Sequence, residues 1–252
     1  MNQAEKAKHF AELHVAGEPL VLFNAWDAGS ATTILKAGAK AIATSSWAVA
    51  AAQGYSDGED LPKELAEQNA ARIVEAVDVP VSIDFEGGYS EDDDELAENV
   101  SRLIDLGIVG INFEDRIVNG PGMYGIARQA RRITAIRKAA EAKGVDLFIN
   151  ARTDLFLGRG PELAQASVEA VERAKAYEAA GASGFFIPGL AEESMIAWIC
   201  QNAPLPVNVM YLDHRSKLER MRGLGVARFS FGAFPYAQAQ SALSALAAQA
   251  FE

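Results

Sequence analysis

The sequence predicts a (β/α)8 TIM barrel built as a single domain, and three observations carry that prediction. Five times a helical pattern ends in glycine and gives way within a few residues to a short apolar run. These are Gly38 before Ala41-Ile42-Ala43, Gly107 before Val109-Gly110-Ile111, Gly144 before Leu147-Phe148-Ile149, Gly181 before Phe185-Phe186-Ile187 and Gly225 before Ala227-Arg228-Phe229. Glycine is favoured just past a helix because that position often needs a left-handed backbone. Counting every unit of this kind gives eight apolar runs alternating with helices, which implies a parallel sheet closed into a barrel. The length, 252 residues, suits such a barrel as one domain. An open doubly wound sheet is the runner-up.

Taken in order, strands are expected near 20–24, 40–45, 80–85, 109–114, 146–151, 184–188, 205–210 and 226–231. The runs do not alternate cleanly, as expected for parallel strands buried on both faces. Helices are expected near 28–37, 62–77, 91–106, 127–143, 162–180, 191–202, 214–223 and 234–250. Leu96, Val100, Leu103 and Leu106 show helical spacing, as do Leu163, Ala166, Ala170, Ala174 and Tyr177. Met1 to Gly17, charged throughout, reads as a short amphipathic helix with Phe10 and Leu13 inward. It lacks the apolar segment of a secretion signal. No linker or low-complexity tract divides the chain.

Half the residues are hydrophobic, enough for a substantial core. The net charge of -11 argues against binding nucleic acid or an anionic membrane surface. A small anionic substrate stays compatible, because a metal and a few arginines can reverse the sign of one pocket. The single cysteine, Cys200, rules out an intrachain disulfide, and no Cys/His spacing suggests zinc. No apolar stretch approaches the ~18 residues of a membrane span. A reduced, cytoplasmic setting is the expectation.

Chemistry in this fold sits at the C-terminal ends of the strands. The second strand ends at Thr44-Ser45-Ser46-Trp47 with Asp57 further along its loop, and the third at Asp84-Phe85-Glu86-Gly87-Gly88-Tyr89. The fourth delivers Asn112-Phe113-Glu114-Asp115-Arg116, the fifth Asn150-Ala151-Arg152-Thr153-Asp154, and the seventh Asn208. Carboxylates converging from neighbouring strands repel one another unless a cation sits among them. Hard oxygen ligands select Mg²⁺ or Mn²⁺. Asp84, Glu86 and Glu114 are therefore the expected metal set, partly through bound water, with Gly87 and Gly88 allowing close backbone approach. Asp115 and Arg116 are expected to form structural pairs, and Asp154 to orient Arg152. The acidic run Glu91 to Glu95 after Ser90 reads as a capped helix start. Cys200 reads as packing, and His9, His14 and His214 as non-catalytic.

These residues resemble the isocitrate lyase and phosphoenolpyruvate mutase superfamily from about Phe23 to Phe231. Asp84-Phe85-Glu86-Gly87-Gly88-Tyr89 looks like that family's D-x-D-x-G-Y segment, and Gly110-Ile111-Asn112-Phe113-Glu114-Asp115 and Ala151-Arg152-Thr153-Asp154 match as well. Ser45-Ser46-Trp47, with Gln53-Gly54 and Asp57, falls where the family has its substrate-binding turn. The resemblance implies a metal-dependent barrel acting on 2-oxo acids or their enol forms. It makes Asp84 the main metal contact, with Asp57, Glu86 and Glu114 in a water-linked shell. It gives Ser45 and Ser46 the substrate carboxylate, Arg152 the oxo or carboxylate oxygens, and Asn208 a pocket wall. Trp47 and Gly87 complete the expected substrate-binding set, and Arg152, Asp57 and Glu114 are the expected catalytic groups. The resemblance also implies a homo-oligomer, dimer or tetramer, with the last helix exchanged between neighbours in many members.

One segment departs from the pattern. Family lyases carry a Lys-Cys-Gly-His type loop after the fourth strand. Here the loop reads Arg116-Ile117-Val118-Asn119-Gly120-Pro121-Gly122-Met123-Tyr124, without cysteine, lysine or histidine. Pro188-Gly189 replaces the histidine that the mutases place after the sixth strand. Loss of CO₂ from oxaloacetate needs an electron sink more than a base, and becomes the most concrete expectation. Water or Tyr89 would protonate the enolate, and the loop from Gly120 to Gly125 would be a lid. C–C cleavage of a methylisocitrate or substituted-malate acid, phosphonopyruvate P–C chemistry, and a barrel that binds a 2-oxo acid without turnover are the alternatives.

Overall fold

In the computed structural model, residues 1–158, 162–212 and 217–251 are described. Their eight strands are β1 (Leu20–Leu22), β2 (Ile42–Ala43), β3 (Val81–Asp84), β4 (Gly110–Glu114), β5 (Phe148–Arg152), β6 (Gly184–Phe186), β7 (Val207–Met210) and β8 (Arg228–Ser230). All are parallel, in the order β1-β8-β7-β6-β5-β4-β3-β2. A lone parallel bridge between Ala25 and Thr44 joins the two outer strands, so the sheet nearly closes as a (β/α)8 barrel. Each expected strand contains or overlaps an observed one. The five helix-terminating glycines all adopt positive φ, from 69° at Gly144 to 102° at Gly38.

The helices are α1 (Gln3–Glu12), α2 (Ala28–Lys36), α3 (Ser46–Ala52), α4 (Lys63–Ala76), α5 (Asp93–Asp105), α6 (Ile126–Ala142), α7 (Leu163–Ala179), α8 (Glu193–Asn202), α9 (Leu218–Gly223) and α10 (Phe234–Phe251). α3 has no counterpart in the expected pattern. It is a short alanine-rich helix of 7 residues, about two turns, whose sequence carries no amphipathic spacing. The start of the helix expected at 214–223, with His214, lies outside the described residues. The N-cap of α5 is Asp92 rather than Ser90, because the Asp92 carboxylate accepts from the N–H groups of Asp94 and Glu95. Ser90 instead bonds Asp92 N and Glu95.

The strands do alternate, which corrects the sequence reading. Ile83, Ile111, Phe113, Ile149, Phe185, Val209 and Phe229 join the apolar core under the helices. Between them Asp84, Asn112, Asn150, Asn208, Arg228 and Ser230 bond one another inside the barrel. Both faces are buried, one by apolar packing and one by hydrogen bonds, so burial alone gives no alternation. At the N-terminal end of the barrel α1 acts as a stopper. Phe10 is fully buried against Phe148, on which His14 also stacks at 3.9 Å. Only glycine fits at position 110, since a Cβ there would meet Phe10 Cε1 at 2.7 Å. Leu13 is half-buried against the same core. Burial, then the nearby Arg228 charge, pushes the His14 pKa down to about 3, leaving a neutral ring far from the strand C-termini.

Candidate active site

A cavity of about 160 Å³ opens at the C-terminal ends of the strands. Ser45, Ser46, Trp47, Asp57, Asp84 and Arg152, six of the expected residues, line it together. The turn from β2 into α3 places Ser46 so that its backbone N–H and hydroxyl both donate to Asp84 Oδ2, at 3.1 and 2.9 Å. The same hydroxyl lies 3.2 Å from Asp57 Oδ1. Ser46 therefore orients two carboxylates, whereas it was expected to hold substrate. Burial, then the Asp84 charge, raises the Asp57 pKa above its ordinary value.

The expected metal trio does not converge. Among the described residues no group of three or more His, Cys, Asp or Glu side chains is disposed to hold a metal ion. Glu114 is buried and paired with Arg152 Nη1 at 2.8 Å. Glu86 sits at a left-handed φ of 49°, and its carboxylate accepts from the Glu59 N–H at 2.9 Å. Burial, then Asp57 and Asp84, pushes Glu86 up to about 8, so negative charge is in excess around it. Asp84 alone of the three lines the 160 Å³ cavity, and it also faces the smaller one beside Glu86.

Arg152 ends β5 with a fixed orientation. Its Nε and Nη2 bond the two oxygens of Asp154 at 2.6 and 3.0 Å, as the sequence suggested, and Nη1 takes Glu114. Burial works to lower its pKa, but Glu114, Asp154 and Asp84 together raise it, so the guanidinium stays charged. Among the described residues two of its five N–H groups are hydrogen-bonded, both to Asp154, Nη1 is ion-paired with Glu114, and the side chain lines the cavity. Asp115 pairs with Arg173 at 3.0 Å and Tyr177 at 2.9 Å rather than with Arg116. It also accepts from the Asp154 N–H at 3.1 Å, which anchors the turn that carries Arg152's partner.

Other expectations move away from the cavity. Asn208 is fully buried one layer below it, bonded by Ser230. Gly87 lies under Val118, whose Cγ2 is 2.8 Å from where its Cβ would stand. With Arg116, Val118, Asn119 and Tyr124 it lines a separate cavity of about 90 Å³, so the 116–124 loop covers that side rather than the site. Tyr89 lines both that cavity and the smaller one beside Asp84 and Glu86 and packs on Phe85; burial first and Glu86 second raise its pKa, so the phenol keeps its proton. Cys200 is half-buried packing on α8, as expected.

Sequence reasoning missed several cavity residues. Asn24 accepts from the N–H groups of Phe231 and Gly232 and donates to Thr44 O, latching β8 to the β1–β2 seam. Leu157, Phe186, Pro188, Met210 and Ala233 form an apolar wall opposite Asp84. Asn112 and Ser230 form the floor. Ser230 on β8 was visible as a polar interruption of an apolar run.

The sequence profile of phosphoenolpyruvate phosphomutase matches residues 10–251. This chain belongs to the phosphoenolpyruvate mutase/isocitrate lyase superfamily. Its superfamily relatives include a presumed phosphonomutase from Burkholderia cenocepacia J2315, whose crystal structure is 45% identical with a TM-score of 0.94. That match covers 96% of this chain and 99% of that one. 2-Methylisocitrate lyase of Bacillus subtilis is 28% identical over 82% of this chain and 67% of its own. An oxaloacetate decarboxylase of Rhodopseudomonas palustris is 32% identical over 57% of this chain and 48% of its own. Superfamily membership thus agrees with the barrel and with the strand-end motifs that meet in the cavity. Among the described residues no helix is long and apolar enough to cross a membrane.

Proposed function

We propose that this chain is a Mg²⁺-dependent lyase that breaks a bond beside the carbonyl of a small 2-oxo or 2-hydroxy acid, oxaloacetate decarboxylation being the most concrete reaction. The observation that carries the reading is one cavity in which Asp84 and Asp57, carboxylates in repulsion, face the charged Arg152. The fit to a cation is good for one direct ligand and poor for three. Asp84 would hold Mg²⁺, with Asp57 and Glu86 reached through its retained waters, and Mn²⁺ would substitute. When bound, the ion supplies a Lewis acid for the charge that develops on the 2-oxo oxygen.

The chain's own residues do the rest. Ser46 fixes Asp84 and Asp57. The guanidinium of Arg152, on the cavity lining, binds a carboxylate or oxo oxygen. Ser45 and Trp47 flank the acid, and the apolar wall excludes water beside the breaking bond. Glu114 keeps Arg152 in place rather than holding metal. Decarboxylation requires no base, which suits a loop without lysine, cysteine or histidine. Two relatives support this class of chemistry, one named as a 2-methylisocitrate lyase and one as an oxaloacetate decarboxylase.

The test is product release from oxaloacetate, 2-methylisocitrate and phosphonopyruvate, with and without EDTA. The expected result is CO₂ from oxaloacetate that EDTA abolishes. Release of pyruvate and succinate from 2-methylisocitrate would favour C–C cleavage, and phosphate release from phosphonopyruvate the P–C reading. Tight oxalate binding without product from any of them would favour a binding module.

The same reading extends to a homo-oligomer. Among the described residues of α10 only Pro235 is buried, while Leu243, Leu246 and Phe251 are exposed. A groove of about 520 Å³ lies where an eighth barrel helix would pack, between Leu20, Val21 and Phe23 and the α2 residues Thr33 and Ile34 with the C-cap Ala37. A second copy's α10 is its proposed occupant, since the two apolar surfaces match in kind and neither is covered by the described residues of one chain. Replacing Leu243 and Leu246 with lysine should convert the parent oligomer to monomer in sedimentation. A parent that already sediments as a monomer would end this part of the reading.

A further inference from the structure

β8 buries an arginine that the chemistry above does not use. Arg228 is fully buried, and its described hydrogen-bond partners are neutral. Nε donates to Ser230 Oγ and Nη2 to Asn112 Oδ1, each at 3.1 Å, while Nη1 has no partner among the described residues. Burial pushes its pKa down to about 9, and Asp84 acts in the opposite sense. Sealing a guanidinium away with no carboxylate against it is strongly unfavourable, and a leucine or methionine would fill the space without that penalty. Volume alone does not account for an arginine here.

Both of its partners belong to the floor of the 160 Å³ cavity. Asn112 is the informative one. Its Oδ1 accepts from Arg228 and also from Asn150 Nδ2 at 2.8 Å. Turning the amide over would set its NH₂ against two donors, so the orientation is fixed. Nδ2 is thereby turned to the other side, where Asp84 Oδ1 stands 3.5 Å away. That distance is too long for a strong bond and leaves the N–H available to a ligand. Strand register delivers the same arrangement, with Asn112 level with Asp84 on one side and Asn150 on the other. A cation on the carbonyl side polarises the amide and strengthens its N–H as a donor.

We propose that Arg228 is a positioning residue for the cavity floor: it locks Asn112 so that the amide N–H faces Asp84 and the bound acid, giving a directional donor to a carboxylate or enolate oxygen. The inference rests on the cavity being a 2-oxo acid site, and assigns Asn112 and Arg228 a part in it.

The test has two independent readouts. In protein labelled with ¹⁵N-asparagine, the Asn112 side-chain resonance is identified by its loss in Asn112→Ala. In Arg228→Met it should shift and exchange with solvent at least about tenfold faster, and an unchanged resonance overturns the proposal. Oxalate binding in Mg²⁺, by calorimetry, supplies a double-mutant cycle. Arg228→Met and Asn112→Ala should each weaken oxalate about tenfold, and together no more than the worse single variant. Additive losses, about a hundredfold, would show that Arg228 does not act through Asn112. Arg228→Met should also keep the parent melting temperature, and a drop with an unchanged Asn112 resonance assigns the arginine to structure alone. If the methionine variant does not fold, Arg228→Lys gives the same resonance test, since it keeps the charge and loses the fork onto Ser230 and Asn112. Failure of the parent to bind oxalate overturns the reading of the cavity, and the amide resonance still decides the role of Arg228.

Discussion

Arg152→Met is expected to abolish turnover and to lower stability by about 3–5 kcal/mol, the usual range when one partner of a buried ion pair is removed. The size follows from what stays behind. Glu114 and Asp154 are both buried, and Arg152 is the cation that each meets, at 2.8 and 2.6 Å. Without it two carboxylates remain in a low-dielectric site, so one must take up a proton or the strand end must open. Arg152→Lys keeps a charge but cannot make the bidentate contact with Asp154 and reach Glu114 as well. It should recover part of the stability and little of the activity. Urea denaturation and turnover on the same preparations check both statements. An Arg152→Met protein as stable as the parent would mean that the pair contributes nothing, and the orientation argument would go with it.

Asp84→Asn is expected to reduce turnover by more than about 100-fold, beyond the 10–100-fold typical of residues that only support a ligand. The amide keeps the shape of the carboxylate and can still accept from the Ser46 N–H and hydroxyl. What it removes is the negative charge on the cavity side. Mn²⁺ affinity, read by electron paramagnetic resonance, should fall with turnover. Asp57→Asn is the comparison, with a smaller loss, because Asp57 is assigned to the water-linked shell. Equal Mn²⁺ affinity in Asp84→Asn and parent would remove Asp84 from the metal and with it the proposed mechanism.

The barrel was legible because its signals are local. A glycine that ends a helix and an apolar run that follows it can be read within a dozen residues, and all five glycines hold the left-handed conformation their position requires. The residues that meet in the cavity were legible for a related reason: strand ends deliver their side chains to one face of this fold. Partnership was not legible. Glu114 and Asp84 look alike at the ends of neighbouring strands, yet Arg152 claims one and Ser46 orients the other. Asp115 stands next to Arg116 in sequence and bonds Arg173, 58 positions away. Such choices depend on side-chain reach across the sheet, which spacing does not encode. The polar barrel interior was hidden by its own burial, since a hydrogen-bonded asparagine inside is as buried as an isoleucine outside. α3 was missed because alanine after a strand says nothing about where a helix begins.

Phe10 and His14 against Phe148 cover the N-terminal end of a barrel whose interior is already filled, so the cavity opens only at the strand C-termini. A reaction that splits its substrate at the strand C-termini leaves both fragments behind the same exit. With a single exit, each product of the proposed reaction is expected to inhibit when added to the turnover assay.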